Sequence, residues 1–535
     1  MTEDDLRLVA ESLTEATATE FAARVESQAT GLKQAIAAGE FDNPEFAVGL
    51  EMEVYAVDGD GRLAALPDRV FEGAANKELG VHNAELNTDP DPFDAAGVAA
   101  QAEEIRERTQ RAREAADEAG LELVLDAMWT VPPAEGSRTY LEATRDAGDG
   151  AGTDPGDRTD GAGGADGADG ASEADEPTAV PENMRPDPRY LAIDADIRAA
   201  AGGDLPFAVP GADTAFPSIL FESLATSIQP HLQVPDAEAF PDYYNAAVRT
   251  LGPVLALSAN SPFLPPDLYT DVDDPEKLVA ETPHELRIEV FEQSVNHTSS
   301  PKVCVPSDIA DPGETADRVV ADDLVAPFLR EWLEEGERPG LEGELWEFAH
   351  KRSTYWRWLR CVAGGQPVGG GDERSLRIEY RPIPTQPTVR DVVGMQALTA
   401  GLVRGLVAAD HPLTDLPWEA AEESFYNAVS DGIRADLAWV TVRGERTGDP
   451  DLVFDEVFAH ARRGLREAGL DEEDIEFYLE PVEARRYTAT APSDWKKRQV
   501  RERLADGLDL ADAITGMQRE YVRLSRETGT FAEWL

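Results

Sequence analysis

The run Phe46 to Val57 is apolar except for two carboxylates placed two residues apart, Glu51 and Glu53. That pair constrains the chain more than any other feature. Side chains alternate between the faces of a strand, so both acids project from one face, about 6–7 Å apart. Like charges at that spacing repel unless a cation or a basic partner lies between them. Magnesium or manganese, which prefer oxygen ligands, would satisfy the arrangement. In a chain this acidic, the competing reading is an edge strand with one solvated acidic face.

The acidity is extreme. Asp and Glu number 105 against 48 Lys and Arg, a net charge of −57 over 535 residues. Nucleic-acid binding needs clustered positive charge, so that class is excluded. Only seven basic residues are Lys, a composition resembling that of proteins from organisms with molar cytosolic salt. Cys304 and Cys361 are the only cysteines, too few for a disulfide framework or a zinc ligand set of their own. The acidic start lacks the pattern of a signal peptide, and no stretch approaches ~18 consecutive apolar residues. A cytoplasmic protein with no membrane span is expected.

Along the chain, residues 5–40 read as one helix ended by Asn43 and Pro44. Asp58 to Gly61 is a turn that would pair the Glu51 strand with 62–66. A second strand over 79–90 carries Glu85 and Asn87 on one face, followed by a helix over 93–119 and a strand over 121–131. Segment 146–178 holds ten acidic residues and one Arg among Gly, Ala and Thr. It cannot bury enough apolar surface to offset ordering entropy and is expected to be disordered. A helix over 183–201 precedes a strand over 224–234 with Gln229, His231 and Gln233 on one face. Pro230 within that strand implies an edge position or a bulge. A helix over 237–251 leads into an unusual polar stop, Ser258 to Pro262.

Two later stretches, 284–293 and 375–382, echo one another: Arg287 precedes Glu289 by two, and Arg377 precedes Glu379. Both are expected to be strands. Arg forks aimed into a sheet concavity suit phosphates or carboxylates; a solvated ladder of ion pairs is the alternative. Between them, 341–362 reads as a helix whose Trp346, Tyr355, Trp356 and Trp358 belong to the core. From Thr388 the pattern is helical: 388–409, 417–438, 450–468 and 505–527, with a shorter helix in 471–487. No glycine-rich phosphate loop, dinucleotide fingerprint or Gly-x-Ser-x-Gly elbow is present.

Several stretches together resemble the carboxylate–amine ligases of the glutamate–cysteine ligase family, of bacterial, archaeal and plant type. They are Gly49-x-Glu51-x-Glu53, Glu85 to Thr88, the strand around His231, Leu255 to Phe263, and Leu376 to Pro382 with Gln386 to Thr388 behind it. The Ala256 to Phe263 run is the most specific, and the resemblance covers about residues 45–145 and 180–435. It implies an α+β, glutamine-synthetase-like fold, in which an antiparallel sheet curves into a half-barrel with helices outside. Residues 1–44 would form a helical extension, 45–435 the catalytic domain and 436–535 a helical tail.

The implied reaction uses ATP to phosphorylate the γ-carboxylate of glutamate, after which an amine, typically that of cysteine, attacks the acyl phosphate. Glu51, Glu53, Glu85 and Glu379 would hold Mg²⁺ (or Mn²⁺), with His231 as a nitrogen ligand. Arg377, Arg381 and Arg287 would hold phosphate oxygens or the substrate carboxylate, and Asn87, Gln229 and Asn260 would contact substrate. Many family members carry two histidines two apart on the His231 strand, where this chain has Gln229 and Gln233 flanking a single one. The acceptor amine therefore stays open, as does a catalytically inactive regulatory homologue that binds an amino acid or nucleotide. The extra N-terminal helix and the tail would cover the cleft or join subunits of a homo-oligomer.

Overall fold

The computed structural model describes residues 2–73, 75–146, 179–270, 272–333 and 339–535. The Glu51 run forms β1 (Ala47–Val57), the spine of an eight-stranded antiparallel sheet. The other strands are β2 (Asn76–Lys77), β3 (Asn83–Asn87), β4 (Asp91–Pro92), β5 (Glu122–Val124), β6 (Ile228–Val234), β7 (Leu359–Ala363) and β8 (Leu376–Tyr380). Their order is β7-β8-β6-β1-β3-β2, with β4 and β5 paired to opposite ends of β1. The sheet is strongly curled into a half-barrel, as the resemblance implies.

Alternation along β1 decides which side is core. Leu50, Met52 and Val54 are at most 1% exposed and face the convex side. There the helices Ala95–Asp117 and Val389–Ala408 pack, and Gln396 Nε2 donates to the Gly49 carbonyl at 3.1 Å. Thr388 caps Val389–Ala408 by accepting from the Asp391 amide, which leaves one helix apolar on nearly every side. Its length and composition would suit a bilayer, but most of it is buried among its neighbours.

Several elements depart from the sequence reading. The 5–40 helix is two, Glu3–Ser12 and Glu15–Ala37, because the Thr14 hydroxyl accepts from the Thr17 amide and starts a new helix. Residues 284–293 are not a strand: Leu286–Val295 is a helix. Its apolar run is too short for periodicity to separate the two states. The expected 341–362 helix is the short helices Leu341–Glu344 and Trp346–Ser353 followed by β7. The 505–527 helix begins at Leu510 and runs to Glu527, and a separate helix, Pro492–Ala505, precedes it where none was expected.

Pro230 is not on an edge, since β6 lies between β1 and β8. Opposite it, Leu50 turns its own amide and carbonyl toward Thr88, so this pair needs no proline donor. On the other side Ser227 pairs with Pro384 but His231 pairs with Glu379. Four steps on β6 thus face five on its neighbour, a one-residue bulge beside the proline. The 146–178 insertion lies, apart from Asp146, outside the described residues. Its flanks, Thr144–Asp146 and Ala179–Pro181, pair side by side.

Candidate active site

Directly opposed residues of an antiparallel pair share a face, so the concave face can be read strand by strand from Glu51 and Glu53. Gln229 and Asn87 stand opposite Glu51, and Glu85 stands opposite Glu53. His231 pairs with Gly49 on one side and Glu379 on the other, and Arg360 pairs with Glu379 in turn. Over this face lie the helix Pro188–Ala201, the 3-10 turn Ile219–Leu224, the helix Leu286–Val295 and the chain around Trp356. Together they enclose a cavity of about 210 Å³. Its floor is Glu51, Glu53, Glu78, Glu85 and Gln229; Arg189, Glu222, Arg360 and Arg381 flank it; Ile193, Ile219, Phe291, Val295 and Trp356 supply apolar wall.

The acids fall into two triads, Glu51–His231–Glu379 and Glu53–Glu78–Glu85, each with one donor atom per residue inside 4.8 Å of the others. Their electrostatics differ. Glu379 is fully enclosed, yet Arg360 and Arg381 outweigh that burial and hold its carboxyl well below the usual range. Arg360 Nε donates to Glu379 Oε2 at 2.6 Å, and Arg381 donates to Oε1. Glu51 also lies below its ordinary value, because the neighbouring His231 outweighs its burial.

The second triad lacks such partners. Burial, then repulsion from Glu51 and Glu53, pushes Glu85 up to about 8. Burial and its acidic neighbours raise Glu78 well above the carboxylate range. Glu53 is raised by burial despite the Ser227 amide donating to it at 2.6 Å. Glu222, in neither triad, is pushed up to about 8 by burial and Glu53. One chain of hydrogen bonds joins the halves: Arg381 donates to Gln229 Oε1, and Gln229 Nε2 donates to Glu53 Oε1 at 3.2 Å.

This donor set fits divalent cations. Five carboxylates and an imidazole converge on one face, and the raised proton affinity of Glu78 and Glu85 reflects burial and mutual repulsion that a bound cation would offset. His231 Nε2 lies 3.2 Å from Glu51 Oε1 without hydrogen-bond alignment, so both its buried ring nitrogens lack a partner.

The sequence model of glutamate–cysteine ligase family 2 matches residues 47–527. The chain belongs to that family. No curated protein matches the sequence. Among solved structures, a Francisella tularensis glutamate–cysteine ligase in complex with AMP is 14% identical, with TM-score 0.48, over 91% of this chain and 90% of its own. A bifunctional glutathione synthetase from Pasteurella multocida is 13% identical, with TM-score 0.45, over 94% of this chain and 55% of its own. The ligase PafA in complex with the ubiquitin-like protein Pup is 11% identical, with TM-score 0.34, covering 91% and 73%.

As a member of glutamate–cysteine ligase family 2, the protein is an ATP-dependent ligase that joins a carboxylate to an amine. The family match extends to residue 527, farther than the motifs that carry the resemblance. The helical tail accordingly docks on the body through buried ion pairs, Lys496 with Asp126 and Arg485 with Asp391.

Of the residues singled out in the sequence, Glu51, Glu53, Glu85, Gln229 and Arg381 line the cavity, with His231 and Glu379 completing a triad at its floor. Asn87 bonds to Glu85 and keeps a buried Oδ1 without a partner. Arg377 stands opposite Gln233, its guanidinium against Gly365, and its Nε is unpartnered. Arg287 is placed differently from the expectation. On a helix rather than a strand, it is tied to Glu285 at 3.1 Å and to the Pro382 carbonyl, beneath the cavity wall.

Asn260 also lies outside the cavity. Fully buried, it donates to the Thr385 carbonyl at 2.8 Å and to Tyr521 Oη at 2.9 Å, anchoring the tail. Sequence reasoning missed Glu78, Glu222, Arg189 and Arg360. Arg360 was hidden by reading β7 as helix, and Glu78 lies one residue before the strand expected from 79. Glu222 sits in a 3-10 turn with no periodic signal, and Arg189 opens a helix behind the Asp187 cap.

Proposed function

We propose that the half-barrel joins the γ-carboxylate of glutamate to the amino group of cysteine through an acyl phosphate. The observation that carries this reading is the two triads, five carboxylates and His231, on one concave face with Arg360 and Arg381 beside them. A carboxylate attacks ATP only when its charge and that of the phosphates are offset, so catalysis here is positioning and electrostatics. Glu51, His231 and Glu379, and across from them Glu53, Glu78 and Glu85, would hold Mg²⁺ (or Mn²⁺), which when bound supplies charge neutralisation at the phosphates.

Arg381 and Arg360 each keep donors beyond those that bind Glu379, suited to the substrate carboxylate or the transferring phosphoryl group. Arg377, with its unpartnered Nε, is the further guanidinium for a phosphate oxygen. Phe291, Val295 and Trp356 shield the acyl phosphate from water. The acceptor amine must lose a proton before it attacks. Glu222, in neither triad but lining the same cavity, is the carboxylate placed to take that proton once ionised.

A second reading keeps the chemistry and changes the amine. It is favoured by one observation: Gln229, one of the two glutamines that flank the single His231, is committed to the bridge between Arg381 and Glu53. Phosphate release from ATP and Mg²⁺ in molar KCl, with glutamate and a panel of amines and products identified by mass, tests both. Turnover with cysteine giving γ-glutamylcysteine supports the first, and turnover with another amine the second. Silence with every amine while ATP still binds would overturn both.

A further inference from the structure

Behind the sheet lies a second constellation that shares no residue with the cavity. His411 follows the helix Val389–Ala408, and Glu456 and His460 lie four residues apart on Pro450–Glu467, hence on one face of it. One donor atom from each comes within 4.8 Å of the other two. His411 Nε2 and Glu456 Oε2 are hydrogen-bonded at 3.1 Å, a bond that an ion between them would replace. Two ligands of a tetrahedral zinc ion, at bond lengths of about 2.0–2.1 Å, stand ~3.3 Å apart.

Independent features point to a ligand rather than to ordinary packing. Both imidazoles are only 9% exposed, and Nδ1 of each is buried with no hydrogen-bond partner. A buried ring nitrogen left unpaired is costly unless something else meets it. The rings also converge on each other, with centroids 4.6 Å apart at 79°.

The donors are held from behind as metal ligands are. Glu456 Oε2 accepts from Trp439 Nε1 at 2.9 Å, and the Val442 amide donates to the same carboxylate at 3.1 Å. The two helices cross so closely that a Cβ on Gly405 would lie 1.9 Å from the His460 carbonyl oxygen. That crossing carries His411 to His460.

We propose that His411, Glu456 and His460 form a zinc site with a fourth position for water, reached past the Glu456 side chain, which is 13% exposed. Two imidazoles and one carboxylate favour zinc over the hard cations suited to the half-barrel. The ion fastens the end of Val389–Ala408 and the hairpin in which Trp439–Val440 pairs with Arg446–Thr447 to Pro450–Glu467, and so braces the helix that backs β1.

The half-barrel triad offers zinc one imidazole, His231, whereas this site offers two, which makes the test direct. Zinc-edge X-ray absorption of the full-length protein loaded with one equivalent of zinc should show two imidazoles per ion. One imidazole, none, or no zinc retained at micromolar concentration would overturn the proposal. Competition with a chromophoric chelator should show His460→Gln weakening zinc by about tenfold or more. His231→Gln should leave that affinity unchanged; the reverse pattern would also overturn it.

Discussion

Glu53 of β1 and Glu85 of β3 stand directly opposite one another on the concave face, with Glu78 beside them. Like charges in that position destabilise a sheet. In the protein without cations the repulsion is relieved by protons, since burial and neighbouring carboxylates push Glu85 and Glu222 each up to about 8.

A pH dependence follows from this. In the metal-free protein these acids keep protons that the unfolded chain has released, so the native state binds more protons. Stability must then fall as pH rises through the folded values. Buried His82, His284 and His350, pushed down to about 4, 3 and 4, act in the opposite sense below their ordinary value. Buried Lys351 and Lys497, each pushed down to about 8, oppose the fall at higher pH, so the window in which the acids dominate lies above about pH 6.5 and below about 8. Thermal unfolding in chelator should show a midpoint falling across it, and Mg²⁺ should flatten the fall with release of protons. A midpoint that rises in chelator would contradict this.

Arg360 neutralises Glu379 at 2.6 Å and reaches the cavity. Arg360→Met should lower glutamate-dependent turnover by about 10²-fold or more, the scale of losing one preorganised electrostatic donor. Steady-state phosphate release measures it, and a loss under tenfold would remove Arg360 from the site.

Lys496 ties the tail to Asp126, and both side chains are essentially enclosed. Lys496→Met leaves a buried carboxylate unpaired and should cost about 3–5 kcal/mol. Denaturant unfolding in molar KCl should show this as a lower midpoint. Adding Asp126→Asn should recover part of the loss, and a double variant no more stable than the single one would argue against the pair.

How much of this was legible follows from which signals are local. β1 and its two acids were readable because a period of two needs only one strand. Glu379 with Arg377 and Arg381 followed for the same reason. The antiparallel curl came from the family resemblance, while the strand order, a relation between distant segments, did not. Leu286–Val295 misled because alternation over a few residues fits a buried helix as well. Arg360 and Glu222 enter the site only through cross-strand register and a covering turn, and both are relations between distant segments. Asn260 shows the converse: its motif was conspicuous, but it lies outside the cavity with its amide nitrogen spent on Asp126, Thr385 and Tyr521.

The net charge of −57 implies self-repulsion that salt must screen. The unfolding midpoint should climb as KCl is raised into the molar range. Stability that declines with added KCl would sink the expectation.

Activation of a carboxylate by ATP on the concave face is the central claim, and isotope transfer tests it most directly. Glutamate labelled with ¹⁸O in its γ-carboxylate should deliver one labelled oxygen to each phosphate released with the amine that supports turnover, and Glu51→Gln should abolish that release. Phosphate free of label, at undiminished amide formation, would contradict an acyl phosphate in this half-barrel.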